Sequence, residues 1–250
     1  MDNMDSENFK KKYSKFYNIF YKKKNYKKEA SYIKKIFKKF KILDKNILEF
    51  GVGTGSHAKY FIQDNYKVTG VDRSMAMLSE AKKIKDLKLI NADIKDINLN
   101  KKFEIILSLF CVINYMTSNR DLKKTFMNAS RHLKKGGIFA FDFWYTPAIR
   151  HLKIKSKEIV LSDNGMIIKR KTVPFIRNDN VIDILFKIAV NSKGKISNFF
   201  EKHSVRHFDI NELAKVALDS KLFFLDAYSM LTFNRPTKNS WSVFIIFKKI

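Results

Sequence analysis

Ile47-Leu48-Glu49-Phe50-Gly51-Val52-Gly53-Thr54-Gly55 is the stretch that decides the fold: a short apolar run that ends in glycines at alternate positions. Asn46 to Phe50 has the length of a buried strand, and a helix is expected to start at Ser56 and run to Ile62. Gly51 permits a sharp exit from the strand, and Gly53 lets a ligand approach the backbone with no Cβ in the way. Gly55 opens the helix, whose first amides form an electropositive cradle. Dinucleotide-binding turns use a similar spacing but carry a further glycine that this stretch lacks.

Outward from this turn, strand and helix patterns alternate. Strands are expected at Lys67 to Val71, Leu87 to Asn91, Phe103 to Leu109 and Ile138 to Phe143. Helices are expected at Met75 to Ile84, with Ser74 as N-cap, and at Leu122 to Leu133, stopping at Gly136-Gly137. Such alternation implies a parallel sheet with helices on both faces. Before it, residues 1–45 form a helical segment. Phe9, Tyr13, Phe16, Tyr17, Phe20 and Tyr21 make an aromatic stripe there, and Ala30, Ile33, Ile36, Phe37 and Phe40 share one side of a second helix. After Pro147 the pattern turns to antiparallel strands at Glu158 to Leu161, Met166 to Val173, Val181 to Asn191 and Ile196 to His207. Asn164-Gly165 and Lys193-Gly194 supply their turns. A helix from Ile210 to Ser220 and strands at Leu222 to Tyr228 and Trp241 to Phe247 finish the chain. The expected architecture is an α/β, Rossmann-like, doubly wound seven-stranded sheet over 46–147 and 208–250. Residues 148–207 are a β-rich insertion.

Two further strand ends carry acids. Val68-Thr69-Gly70-Val71-Asp72-Arg73-Ser74 places Asp72 where it can accept hydrogen bonds from both ribose hydroxyls of an adenosine, with Arg73 beside it. Met75 or Met77, in the following turn, can lie against the adenine. In Asn91-Ala92-Asp93-Ile94, Asp93 can take the adenine amine while the Ile94 amide meets a ring nitrogen. Glu49 is acidic at the first strand's end, where a cofactor bearing an amino acid can use a carboxylate.

With these motifs, the sequence from Asn46 to Phe143 resembles the class I S-adenosylmethionine methyltransferases, adding Phe103-Glu104-Ile105-Ile106 and Leu133-Lys134-Lys135-Gly136-Gly137. The resemblance implies S-adenosylmethionine as cofactor and the sheet order of that family, with an antiparallel seventh strand beside the fifth. It implies a pocket of Tyr17, Glu49, Gly51, Gly53, Gly55, Asp72, Arg73, Met77, Asp93, Ile94 and Leu109. A narrower resemblance covers nearly the whole chain, to small-molecule enzymes that include the nucleotide-amino-sugar N-methyltransferases. It rests on Tyr17-Asn18-Ile19-Phe20-Tyr21, Asn25-Tyr26-Lys27-Lys28-Glu29-Ala30, Phe110-Cys111-Val112-Ile113-Asn114-Tyr115-Met116, Asp142-Phe143-Trp144-Tyr145-Thr146-Pro147 and Glu201-Lys202-His203-Ser204-Val205-Arg206. In those relatives a histidine often stands where Tyr115 is found here.

Methyl transfer requires an acceptor atom aligned with the methyl group, and a base only where that atom carries a proton. Tyr115 and His203 are the catalytic candidates, with Asp142 and His207 also near enough in the pattern to serve. Tyr21, Trp144, Tyr145 and Arg206 are the acceptor-site candidates; packing is the other account of Trp144 and Tyr145. Tyr13, Tyr17 and Tyr21 can cover a sulfonium, or simply dock a helix.

Composition bounds the partners. Hydrophobic residues make up 45%, a globular proportion, and the single Cys111 excludes an intramolecular disulfide or a cysteine-built metal cage. The first residues are polar and no apolar run can span a bilayer, so a cytoplasmic protein without membrane contact is expected. The net charge of +26 is almost all lysine, with arginine only at 73, 120, 131, 150, 170, 177, 206 and 235. Arginine is the residue of bidentate phosphate and base contacts, so a nucleic-acid partner is not favoured, while an anionic small acceptor is easily attracted. Ser108-Leu109-Phe110-Cys111 lacks the prolines common to base methylases, and Cys111 is expected to be a buried, inert thiol. The competing readings are an RNA methyltransferase using the basic surface and a non-catalytic cofactor-binding module. A homodimer is compatible with either.

Overall fold

The computed structural model describes residues 13–178 and 180–250; Phe9, expected in the aromatic stripe, lies outside them. Residues 13–20 are helical (α1), followed by α2 (Tyr26–Lys39), β1 (Asn46–Phe50), α3 (Ala58–Gln63), β2 (Lys67–Asp72), α4 (Met75–Ala81) and β3 (Lys88–Asn91). Next come β4 (Phe103–Ser108), a 3-10 turn (Val112–Tyr115), α5 (Asn119–His132), β5 (Leu133–Trp144) and α6 (Thr146–Leu152). The chain ends with β6 (Lys157–Asp163), β7 (Met166–Asn178), β8 (Val181–Ser192), β9 (Lys195–Arg206), α7 (Ile210–Asp219), β10 (Leu222–Ser229) and β11 (Ser242–Lys249). None of the described helices is long and apolar enough to cross a membrane.

Two units emerge, one of Asn25–Leu152 with His207–Ile250 and another of 13–24 with Lys153–Arg206. The N-terminal segment 1–45 thus contributes to both: α1 goes with β6–β9, and α2 with the larger sheet.

In the larger unit the strand order is β10-β11-β5-β4-β1-β2-β3, and β11 runs antiparallel to both neighbours. Its central strands read as nearly continuous apolar runs because both faces are covered. Leu48, Phe50, Phe139 and Phe141 point to one core with Phe126 of α5 and Leu213 of α7. Ile47, Ile138 and Ala140 point to the other with Ile33 of α2, Phe61 of α3 and Leu78 of α4. Side chains start the helices where the sequence supplies them. Asn25 accepts from Lys28 N at 2.9 Å, Ser118 from Asp121 N at 3.1 Å, and Asp209 with Glu212 closes a capping box.

One expectation needs correcting here. Gly136-Gly137 does not stop a helix but lies inside β5, where a Cβ on Gly137 would come within 2.9 Å of the Glu104 carbonyl. The glycine serves close strand packing. The short helix α6 has no counterpart among the expected elements; Pro147 stands in its first turn, as a proline suits a helix start.

In the smaller unit β6-β7-β8-β9 form an antiparallel meander. Asp163 pairs with Met166 and Ser192 with Lys195, so each hairpin has a two-residue loop. Asn164, Gly165, Lys193 and Gly194 all have positive φ, as such tight loops require.

Candidate functional site

β1 and β2 end side by side, with Glu49 opposite Gly70 and Phe50 opposite Val71. The Gly51 and Val52 amides both donate to the Val71 carbonyl, at 2.8 and 3.0 Å, which pins the exit of β1 onto β2. Gly51, Gly53 and Gly55 have φ of +70°, +56° and +75°, for different reasons. A Cβ on Gly51 would lie 2.5 Å from Val112, and one on Gly55 2.5 Å from Ile84, whereas a Cβ on Gly53 would meet nothing within 4 Å. Gly53 is thus the bare backbone that borders open space.

Asp72 joins the two motifs into one object. Its carboxylate accepts from Gly53 N at 2.9 Å and from Ser74 N at 2.8 Å, while Ser74 caps α4 through Met77 N at 3.3 Å. Burial pushes the Asp72 carboxyl above its ordinary range, and the two amide bonds oppose that rise. Carboxylate oxygens hold more than one acceptor direction each, so further donors can be taken. Glu49 is 1% exposed, and its Oε2 has no hydrogen-bond partner among the described residues. Burial, then the charge of Asp72, push its carboxyl up to about 8. A buried orphan beside an open backbone edge is the mark of a position completed by a ligand.

The third strand end is tied to α5. Asp93 accepts from Lys95 N at 2.9 Å, and Lys95 Nζ bridges Asp93 and Asp121 at 3.6 and 3.5 Å. The Ile94 side chain is buried, and its carbonyl accepts from Asn128 Nδ2 at 2.7 Å. Met77 is half-buried, whereas Met75 and Arg73 are exposed.

Beyond β4 the backbone is strained. Leu109 is buried, and the next two residues, Phe110 and Cys111, both take left-handed φ, 64° and 59°. Asp142 of β5 holds the turn: its Oδ2 accepts from Cys111 N at 3.2 Å and from Cys111 Sγ at 3.1 Å. Cys111 is therefore not an inert core thiol but half-buried and bonded to a carboxylate. Val112, which limits Gly51, begins the 3-10 turn that ends at Tyr115, itself 37% exposed. Buried Asn114 accepts from Trp144 N at 3.4 Å, and Trp144 packs edge-on to Trp241 at 5.5 Å. Burial, then Asp209, raise the Tyr145 hydroxyl. His207 is buried, with Nδ1 2.9 Å from Thr146 Oγ1.

The remaining candidates lie in the smaller unit. Tyr17 and Tyr21 have ring centroids 4.8 Å apart, and the Tyr13 and Tyr21 hydroxyls are 3.5 Å apart. His203 sits 5.3 Å from Tyr13 and 5.2 Å from Phe186, with Nε2 3.7 Å from Glu201 Oε1. Arg206 is buried. The fold thus gathers Glu49, the glycines, Asp72, Met77, Asp93, Leu109 and Tyr115 in one unit, and Tyr17, Tyr21, His203 and Arg206 in the other.

Sequence reasoning passed over one pair. His57, two residues after Gly55, meets Glu29 of α2 at 2.7 Å; both are buried, and Tyr26 packs on the imidazole at 4.9 Å. The signal was the Asn25-to-Ala30 segment, which anchors α2 against the glycine turn.

Residues 47–137 match the family model described as a methyltransferase domain. The chain is 25% identical over 195 residues, 77% of its length and 82% of the relative's, to the dTDP-3-amino-3,4,6-trideoxy-alpha-D-glucopyranose N,N-dimethyltransferase of Streptomyces venezuelae. It is 31% identical over 103 residues, 41% of each chain, to the dTDP-4-amino-2,3,4,6-tetradeoxy-D-glucose N,N-dimethyltransferase of Saccharopolyspora spinosa. Its fold is similar to that of a crystallised S-adenosylmethionine-dependent methyltransferase from Clostridium acetobutylicum, with a TM-score of 0.80 at 23% identity, covering 95% of this chain and 98% of that one.

Proposed function

We propose that the chain is a class I S-adenosylmethionine-dependent methyltransferase that methylates the amino nitrogen of a nucleotide-linked sugar. The observation that carries this reading is the single hydrogen-bonded object made by Gly53, Asp72 and Ser74 beside the unpartnered Glu49 carboxyl. These residues fit the cofactor: the bare Gly53 backbone leaves room for it, and the buried acid lacks the donor that an amino group would bring. Asp72 takes the ribose hydroxyls, Glu49 the amino group, and Asp93 with the Ile94 amide the adenine edge. Met77 and Leu109 supply apolar walls. When bound, S-adenosylmethionine supplies an electrophilic methyl carbon.

The chain's own work is then to present a nitrogen lone pair in line with that carbon. A sugar ammonium must first lose its proton. Tyr115 is the group of the larger unit assigned to hold it. Trp144 and Tyr145 are assigned to the acceptor. An acceptor carrying a diphosphate also suits a chain with a net charge of +26.

The test has two arms. Incubation with S-adenosylmethionine and a dTDP-linked amino sugar should yield mono- and then dimethylated sugar by mass spectrometry, and no transfer to any amino-sugar nucleotide would refute the acceptor class. Asp72→Ala should weaken S-adenosylmethionine binding about 100-fold by calorimetry while the circular dichroism spectrum is unchanged. Unchanged affinity would remove Asp72 from the ribose.

A further inference from the structure

Arg170 of the smaller unit has buried guanidinium nitrogens and no carboxylate partner among the described residues. Arg170 stands in β7 in a cross-strand row with Ile159 of β6, Ile188 of β8 and, beyond it, Phe199 of β9. Its guanidinium lies among rings, with Cζ 4.7 Å from the centroid of Phe20, 5.0 Å from Phe186 and 5.4 Å from Tyr21. Rings stabilise the charge through their faces but offer no acceptor for the in-plane N–H groups. Two of its nitrogens, Nε and Nη1, are buried with no hydrogen-bond partner.

The acids of this unit are engaged elsewhere. Glu158 pairs with Lys169 at 3.0 Å, Asp163 with Lys22 at 2.9 Å and Asp183 with Lys202 at 2.8 Å, while Glu201 lies 3.7 Å from His203. Among the described residues no carboxylate therefore neutralises Arg170. A desolvated, unpaired guanidinium is costly unless an anion completes it. The Tyr21 hydroxyl, 3.5 Å from that of Tyr13, adds a second donor type to the same ring cluster.

We propose that Arg170, held in the cage of Phe20, Tyr21 and Phe186, is the anion seat that receives the diphosphate of the acceptor. The proposal deepens the amino-sugar-nucleotide reading and rests on it for the identity of the anion. Guanidinium suits the task because it stays charged at any physiological pH and presents N–H donors in the plane that phosphate oxygens match. Three rings with centroids 4.7–5.4 Å from Cζ hold the guanidinium in place before the anion arrives. The seat lies within the unit formed by 13–24 and Lys153–Arg206.

The experiment is calorimetric titration of the full-length chain, saturated with S-adenosylhomocysteine, with thymidine diphosphate and in parallel with inorganic pyrophosphate. Wild type should bind thymidine diphosphate, and Arg170→Met should weaken that binding at least about tenfold, the loss expected for one charge-assisted contact. Arg170→Lys should weaken it less, because a point charge remains. Affinity for S-adenosylhomocysteine should be the same in all three, which also reports that the variants fold. Weakened pyrophosphate binding in step with the nucleotide would assign the contact to the phosphates themselves. A wild type that binds neither anion, or Arg170→Met and Arg170→Lys that both bind like wild type, would overturn the proposal. If Arg170→Met does not fold, the lysine variant decides the matter alone. The two readings separate: methylation with an unchanged KM in Arg170→Met removes the seat and keeps the function. Arg170-dependent nucleotide binding with no methyl transfer to any amino-sugar nucleotide removes the function and keeps the seat.

Discussion

In the large sheet the acids Glu49 and Asp72 stand at strand ends, and Asp72 is held by backbone amides; in the small sheet the charges stand along the strands and are held by other side chains. Asp72 accepts from Gly53 and Ser74 amides, whereas Asp183 is bonded by Lys202 Nζ at 2.8 Å and Ser204 Oγ at 2.6 Å. Arg170 has only rings. A parallel sheet covered on both faces leaves ligands only the carboxyl ends of its strands, so its chemistry collects in short local motifs. An antiparallel sheet can turn polar side chains outward all along its length, and its chemistry depends on which neighbours happen to lie across the ladder. The first arrangement is written in consecutive residues. The second is written in register.

The sharpest way to break this contrast is at the glycines. Gly51→Ala should destabilise the chain by about 2–4 kcal/mol in urea unfolding, since it combines a left-handed φ with a Cβ 2.5 Å from Val112. A cost near zero would mean that the glycine turn is not fixed by the packing behind it.

Next in size is a pH effect confined to the large sheet. Glu49 has its folded-state pKa raised from 4.5 to about 8, so the folded chain holds a proton that the unfolded chain releases. Its contribution to stability is complete below about 4.5 and is lost as pH rises through about 8. Glu49→Gln should therefore be more stable than wild type at pH 8, on the order of 1–3 kcal/mol, with the difference vanishing near pH 4.5. Binding of an amino group at Glu49 should release a proton at pH 7, visible as a calorimetric heat that depends on the buffer. Equal unfolding midpoints for Glu49→Gln and wild type across this range would show that the carboxyl is not the buried orphan described.

The smallest effect belongs to the hairpins. Gly194→Ala should cost only about 1 kcal/mol, because its φ of +81° is strained for alanine but nothing lies within 4 Å of the new Cβ. A cost as large as that of Gly51→Ala would erase the distinction between the two regions.

The legibility of each region follows the same line. The alternation of strands and helices and the Asp72–glycine pairing were readable because hydrophobic period and glycine spacing act over a few residues, while the strand order and the antiparallel last strand followed from the family resemblance. Gly136-Gly137 misled, since a glycine needed for close strand approach looks like a glycine that ends a helix. Cys111 misled too: nothing near it in sequence announces that Asp142, 31 positions later, will hold its amide and thiol. Arg170 went unremarked as one arginine among a basic chain's many cations.

What the sequence by itself determined is therefore the fold class and the cofactor motifs, where each backbone requirement is met by residues adjacent in the chain. Only the tertiary structure decided that Glu49 is an orphaned carboxyl, that a strained turn at Phe110 and Cys111 hangs from Asp142, and that Arg170 has no carboxylate partner among the described residues. Burial and the absence of a partner are properties of everything packed around a group, and no local pattern of residues encodes them.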